Sequence, residues 1–242
     1  ERPDVVAHVK YTGELVAANK VGIGLDAEHA KIDIKGLEIG EHVVKLYAFT
    51  NAGTQVEAGS FKVTVLAPLA DGEVADLSTI KEPGEYKLVA DVKGNLTLTS
   101  GDYVIDLNGH TWTNGGIALN IQGAKVTLTD TVGTGYIKAT NDCIDISSGS
   151  ITVTDATVIA EGDGLDAIFV GGGVVVTNNA TLYAGKSGIN ASQAAVDITV
   201  NGGTFGGVYS GDKFTRTAAF EFRNNAKVKL NGKINFNEAA II

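Results

Sequence analysis

The chain has 242 residues, 44% of them hydrophobic, so it is long enough for one large or two modest domains and too apolar for disorder. Its net charge of −9 argues against nucleic-acid binding, because phosphate contacts require clustered lysine and arginine. A single cysteine, Cys143, excludes an internal disulfide and a cysteine zinc site, and we expect it to be buried. No apolar run is long enough to predict a membrane span.

The first 67 residues alternate apolar and polar side chains with a period of two, between turns rich in Gly, Asn and Asp. Short strands at this spacing predict a small β-sandwich. The predicted strands cover residues 5–9, 20–25, 31–34, 42–49 and 60–66. Residues 67–72 are interpreted as a linker, so the predicted domains are 1–67 and 68–242.

From residue 101 onward the chain repeats an apolar, alternating strand that ends in a small polar turn. The last inward apolar residue of each copy follows the one before by 21, 25, 23, 24 and 30 residues. Those residues are Leu107, Leu128, Val153, Val176, Val200 and Leu230. A strand repeat of this length predicts a parallel β-helix with three strands in each rung.

Two side-chain alignments follow from the repeat. Trp112 aligns with Val158, Leu182 and Phe205, which predicts that it faces the interior rather than a ligand. Asparagines recur at one corner, which predicts a partial ladder of side-chain amides along the coil. They are Asn108, Asn178, Asn201 and Asn231.

The segment 102–111, with Asp106-Leu107-Asn108-Gly109-His110, resembles the first turns of right-handed parallel β-helices of the pectate-lyase-like class. Such helices occur in bacterial surface proteins and phage structural proteins, and the resemblance extends over residues 70–242. It implies the fold rather than an activity, because the same coil carries lyases, hydrolases, adhesins and inert spacers. Residues 36–53 resemble the later strands of immunoglobulin-like modules, which implies such a module in the first domain.

An acidic group forms the candidate catalytic or metal site. Aligning Ile144 with Ile168 places Asp142 below Asp166 in adjacent rungs, about 4.8 Å apart. Stacked carboxylates are hard-oxygen ligands, so calcium is the candidate cofactor and no other is expected. The candidate calcium ligands are Asp142, Asp145, Asp163 and Asp166.

An enzyme at this place would use Asp142 and Asp166, with Lys186 as the nearest candidate base. The sequence favours a structural role for these residues, because an acidic cluster without its base is more often structural than catalytic. The polygalacturonase motifs Gly-His-Gly, Asn-Thr-Asp and Arg-Ile-Lys do not occur in the chain. His110 is interpreted as a corner residue rather than a general base.

The 30-residue step contains an excursion, residues 208–217, that a minimal corner does not require. Insertions in solenoids become loops on one face and often carry binding. Aromatic side chains there could stack on a sugar or a protein partner, and charged ones could donate or accept hydrogen bonds. The candidate binding residues are Tyr209, Asp212, Lys213, Phe214 and Arg216.

These patterns predict an all-β protein, a small β-sandwich followed by a parallel β-helix. The two resemblances imply that the sandwich is immunoglobulin-like and that the helix is right-handed. We expect a non-enzymatic structural or adhesive protein, secreted or located on a cell or virion surface, with glycan binding as an added activity. A polysaccharide lyase or glycoside hydrolase, and a capsid-decoration or appendage subunit, are the alternatives. The apolar final rung predicts contact with an assembly partner or self-association.

Overall fold

The computed structural model describes residues 21–25, 30–34, 38–49, 54–65, 67–191, 196–207, 209–210, 213–214, 217–223, 226–237 and 239–240. The chain divides into two compact units, Glu1–Pro68 and Leu69–Ile242. Strands dominate the described residues of both units, which include a single short 3-10 helix, Leu77–Thr79. The prediction of an all-β protein is confirmed.

In the first unit, β1 (Val21–Leu25) pairs antiparallel with β2 (Ala30–Ile34). In the same way β3 (Gly40–Phe49) pairs with β4 (Gln55–Val65). Four of the predicted strands are therefore confirmed as strands, and the one predicted at residues 5–9 lies outside the described residues. The immunoglobulin-like sandwich stays a prediction.

The second unit is a coil of parallel strands. Its strands are β5 (Glu73–Val74), β6 (Gly84–Leu88), β7 (Val92–Lys93), β8 (Leu96–Leu98), β9 (Asp102–Asp106), β10 (Thr111–Asn114), β11 (Leu119–Thr129), β12 (Tyr136–Ala139), β13 (Ile144–Thr154), β14 (Thr157–Val170), β15 (Val174–Ala191), β16 (Asp197–Gly207), β17 (Tyr209–Ser210), β18 (Lys213–Phe214), β19 (Thr217–Phe222), β20 (Lys227–Asn237) and β21 (Ala239–Ala240). Every pairing among the described strands of this unit is parallel except β17 with β18. The predicted parallel β-solenoid is confirmed.

Three stacked sheets form the faces of the coil, and long strands such as β15 run through all three. The first sheet contains β6, β9, the later halves of β11 and β13, and the starts of β15, β16 and β20. The second contains β7, β10, β12, the start of β14, the middle of β15, and the ends of β16 and β20. The third contains β8, the starts of β11 and β13, the ends of β14 and β15, β19 and β21.

The interior is filled by the inward side chains of each rung. Trp112 is fully buried and lies in register with Ile137, Val158, Leu182 and Phe205, which confirms the predicted inward position. Its Nε1 donates to the carbonyl oxygen of Gly94 at 2.8 Å, so the one polar atom of the ring is satisfied. Cys143 is also fully buried, and this burial raises the pKa of its thiol, which disfavours the nucleophilic thiolate.

The first sheet departs from the predicted alignment at two rungs. Leu128 pairs with Ile105, not Leu107, and Val153 pairs with Thr177, not Val176. Thr177 is fully buried and Val176 faces outward, half-buried. A run of three valines carries no alternation, so its phase cannot be read from the pattern, and a one-residue error exchanges the two faces.

The backbone conformation and the close approach of neighbouring rungs explain why glycine recurs at the corners. Gly149 and Gly173 have φ of +92° and +100°, the left-handed region that glycine tolerates best. A Cβ on Gly173 would lie 2.3 Å from the carbonyl oxygen of Gly149, so the rungs approach too closely for any side chain. At another corner the predicted amide ladder forms between Asn178, Asn201 and Asn231.

Asn108 is not a member of that ladder, so this part of the prediction is wrong. Its side-chain Nδ2 donates to the carbonyl oxygen of Leu88 at 2.9 Å, and its backbone has a positive φ of 49°. The ladder begins instead at Thr154, whose Oγ1 accepts from Asn178. Asn108 lies two residues beyond Asp106, the residue that occupies the ladder column, and therefore serves as a turn residue.

Candidate binding site at one corner of the coil

Asp142 and Asp166 lie in adjacent rungs, as predicted. Ile144 pairs with Ile168, and the Oδ1 atom of Asp142 accepts a hydrogen bond from the backbone amide of Asp166 at 2.7 Å. Asp166 itself is buried, whereas Asp142 is half-buried. The parallel stacking of the third sheet therefore brings these two carboxyls to one corner.

A charge network surrounds Asp166. Its Oδ2 accepts from Asn190 Nδ2 at 2.7 Å and lies 3.3 Å from Lys186 Nζ. Lys186 Nζ is also 3.2 Å from Glu221 Oε2, and Arg223 pairs with the other oxygen of Glu221 at 2.7 Å. Asp166 Oδ1 is buried and makes no hydrogen bond with the described residues.

Burial raises the pKa of Asp166 and Asp142, although hydrogen bonds and the charge of Lys186 partly oppose it. It also raises the pKa of Asp145. For Lys186, burial alone would lower the pKa, but Asp166 and Glu221 outweigh it and raise the pKa above its ordinary value. Lys186 is therefore held protonated between two carboxylates, which is unfavourable for a general base.

The four candidate calcium ligands do not converge. Asp145 lies within the third sheet, paired with Phe169, while Asp163 is exposed at the corner and paired with Gly185. Across the part of the chain that the structure describes, no three His, Cys, Asp or Glu side chains form a group that could hold a metal ion.

The predicted excursion forms a short antiparallel hairpin in which Tyr209 pairs with Phe214 and Ser210 with Lys213. Asp212 and Arg216 lie outside the described residues. The excursion connects β16 in the second sheet to β19 in the third, and β17 lies against β14. Because β14 is two rungs earlier than β16, the hairpin reaches back along the coil to a strand that runs through the corner of Asp166.

A groove of about 510 Å³ follows this same corner from the first rungs of the coil to β14. Successive strands of the second sheet end along it, so it runs parallel to the coil axis. One cation in it is paired, since Lys138 Nζ lies 3.1 Å from Glu161 Oε1. The polar lining residues are Lys93, Thr113, Asn114, Lys138, Thr140 and Glu161.

Two outward tyrosines on the second sheet were not among the sequence candidates. Ile137 and Leu182 face the interior, so their neighbours Tyr136 and Tyr183 face outward on the second sheet and are half-buried. Gly206 makes room for the second ring, because a Cβ there would lie 2.8 Å from Tyr183 Cε1. The alternation of inward and outward side chains around Ile137 and Leu182 was enough to predict that both tyrosines face outward.

No protein-family model, curated protein or solved structure matches this chain. No helix in the described residues has the length and apolar character needed to cross a membrane.

Proposed function

We propose that this protein is a non-enzymatic structural and adhesive component on the outside of a cell or virus particle. We also propose that it binds a glycan at the corner between the second and third sheets. The observation that carries this proposal is the folding of the long excursion back onto a corner that already contains an axial groove. A regular solenoid needs no such hairpin for its own stability, so the insertion favours a binding role.

The chemistry of the corner supports a sugar ligand. The groove volume of about 510 Å³ is in the usual range for small-ligand sites, about 300–1,000 Å³. Lys93, Asn114 and Thr140 offer polar side chains along its length. Tyr136 and Tyr183 present aromatic rings on the adjoining face, where an apolar sugar face could stack.

A polysaccharide lyase or glycoside hydrolase remains the alternative, favoured by the raised pKa of the carboxyls at Asp142 and Asp166. The ion pairs of Lys186 weigh against the lyase, because a base must be able to accept a proton. Calcium bound at the acidic corner is proposed as part of this alternative alone.

Two finer assignments of the fold accompany the proposal. We propose that the first unit is an immunoglobulin-like sandwich, supported by its two antiparallel strand pairs. We propose that the coil is right-handed and of the pectate-lyase-like class, supported by its three parallel sheets and its corner asparagines.

Native electrophoresis through gels that contain neutral or acidic polysaccharides, with either calcium or a chelator, tests the function. We expect retardation of the intact protein without loss of polymer staining. Tyr183→Ala should weaken retardation by about threefold to tenfold, the contribution of one aromatic contact. Phe214→Ala tests the hairpin, and Lys125→Ala, on the first sheet, is the control that should leave retardation unchanged.

The remaining outcomes decide between the functions. Clearing of polymer around the band would establish an enzyme, and clearing lost with the chelator would assign calcium to it. Unchanged mobility in every gel would exclude glycan recognition and leave a structural role.

A further inference from the structure

The strand β20 exposes apolar residues whose partners in the preceding rung are buried. Among the described strands, β20 pairs with β16 alone, so its other edge is open. Val228, Leu230 and Phe236 are 36%, 45% and 43% exposed. Their partners one rung earlier, Ile198, Val200 and Phe205, are at most 1% exposed. The same interior columns are thus covered in β16 and uncovered in β20.

Phenylalanine rings fill the interior behind this edge. Phe205 and Phe220 lie 4.6 Å apart between ring centroids, and Phe220 meets Phe236 edge-on at 6.3 Å. Phe236 is therefore the outermost ring of an aromatic cluster. Exposed apolar side chains that lie together in this way are typical of interaction sites.

The other end of the coil is closed. Val74, Leu77 and Ile80 are buried over the first rungs, in a segment that includes the 3-10 helix capped by Asp76. With this cap in place, Leu88, Val92 and Leu96 of the first rungs are buried, and Tyr86 is half-buried. Among the described residues, β20 therefore differs from the first rungs, whose apolar side chains are covered by this segment.

The amide ladder also ends at this edge with a defined polarity. Asn231 Nδ2 donates to Asn201 Oδ1 at 2.7 Å, and Asn201 Nδ2 donates to Asn178 Oδ1 at 2.8 Å. Because each residue donates backward along the coil, the side-chain oxygen of Asn231 is the last acceptor of the ladder. A further strand could continue the ladder with an amide donor at this position.

The positive charge of the β20 edge indicates which kind of strand it can bind. Residues 226–237 contain Lys227, Lys229 and Lys233 and no acidic residue, in a chain of net charge −9. Lys227 already lies 3.8 Å from Asp197 of the preceding rung, and Lys125 lies 4.0 Å from Asp102 in the same column. Lysines on an edge strand repel another basic edge, such as that of a second copy, and attract an acidic one.

We propose that the open edge of β20 binds a β-strand of a partner protein whose side chains alternate between apolar and acidic. The strand adds in parallel as a further rung, covers Val228, Leu230 and Phe236, and pairs its carboxylates with the edge lysines. This mode of recognition is β-strand addition, in which main-chain hydrogen bonds supply affinity and alternate side chains supply specificity. The proposal is independent of glycan binding, which concerns the corner rather than the end of the coil.

The test uses the full chain and a labelled peptide derived from its own β16, which already pairs with β20 in register. The acidic probe has the sequence of residues 197–207 with Thr199→Glu. The basic probe carries Asp197→Lys and Thr199→Lys in the same sequence. By fluorescence anisotropy we expect the acidic probe to bind about tenfold more tightly, the effect of two exposed charge pairs, and to weaken as salt is raised.

Variants of the full chain locate the binding. Lys229→Glu keeps the apolar edge and should shift preference from the acidic probe to the basic one. Leu230→Glu should abolish binding of the acidic probe, while Val132→Glu, an exposed apolar position away from the edge, should not. Circular dichroism of each variant confirms that the fold is retained.

Three results would overturn the proposal. One is the absence of binding of either probe to the folded chain. Another is equal affinity for the acidic and basic probes, or equal binding by the Leu230 and Val132 variants. The third is a dimer in light scattering that Leu230→Glu dissociates, which would assign the edge to a second copy of this chain.

Discussion

Asp145 is a partly buried carboxyl whose charge lowers the stability of the folded protein. It lies in the third sheet in register with Asn120 and Phe169, neither of which carries a charge. Burial raises the pKa of its carboxyl, and its charge in turn helps to raise the pKa of Asp142. Asp166 differs, because Lys186 and Asn190 compensate for its burial. Asp145 therefore destabilises the folded protein when it is ionised.

We predict that Asp145→Asn stabilises the protein at pH 7, by at most about 1 kcal/mol because the site is partly solvated. A raised folded-state pKa means that the native protein holds the proton more tightly, so stability falls as pH rises through that pKa. The gain should therefore vanish below the ordinary Asp pKa of about 3.9. Urea unfolding between pH 3 and pH 8 measures it, with the exposed Asp102→Asn as control. The same gain in the free energy of unfolding at pH 3 and at pH 8 would contradict the explanation.

At the scale of one element, the amide ladder joins β15, β16 and β20 at a single corner. Asn201 occupies the middle and takes part in two side-chain hydrogen bonds, donating to Asn178 and accepting from Asn231. Asn231 takes part in one of these two. Each hydrogen bond of this type contributes about 0.5–1.5 kcal/mol.

We predict that Asn201→Ala lowers the free energy of unfolding about twice as much as Asn231→Ala, by about 1–3 kcal/mol. The ratio follows from the number of ladder hydrogen bonds that each substitution removes. Chemical denaturation of the two variants in parallel measures it. Equal losses in the free energy of unfolding would contradict this account. They would show that the number of ladder hydrogen bonds does not determine the stability of these rungs.

Much of this architecture could be predicted from the sequence, because strand repeats of regular length have few solutions. The inward position of Trp112 and the stacking of Asp142 on Asp166 both follow from aligning rungs. The phase of the Val174–Val176 run could not be predicted, since its three valines carry no alternation. The return of the hairpin to β14 depends on tertiary contacts two rungs away, which no local pattern encodes.

The ion pairs of the candidate site could not be predicted from the sequence, because they too depend on tertiary contacts. Lys186 meets Glu221 at 3.2 Å only because the long excursion returns the chain to the third sheet in register with β15. From the sequence, Lys186 is a candidate base one rung above an acidic group. In the structure its neighbours on both sides are carboxylates, which favours a structural ion pair.

For the whole molecule, stability should vary along the coil axis. Solenoid rungs contact their neighbours alone, so each interior rung is stabilised by two interfaces and a terminal rung by one. The first rungs have the buried cap of Val74, Leu77 and Ile80, whereas β20 leaves Leu230 and Phe236 exposed. The coil is therefore expected to open from the end that carries β20.

We predict that hydrogen exchange measured by mass spectrometry is fastest in β20 and slowest in β13 and β14, with protection differing by about tenfold or more. Alternate amides of β20 point toward its open edge, where no described strand accepts them, while β13 and β14 have strand neighbours on both sides. The capped first rungs, read at β9, should be protected to an intermediate degree. Adding the acidic strand peptide should slow exchange in β20 without changing β13, which separates covering of the edge from general stabilisation. Uniform protection along the coil would contradict this account, because it would require all rungs to open together rather than from one end.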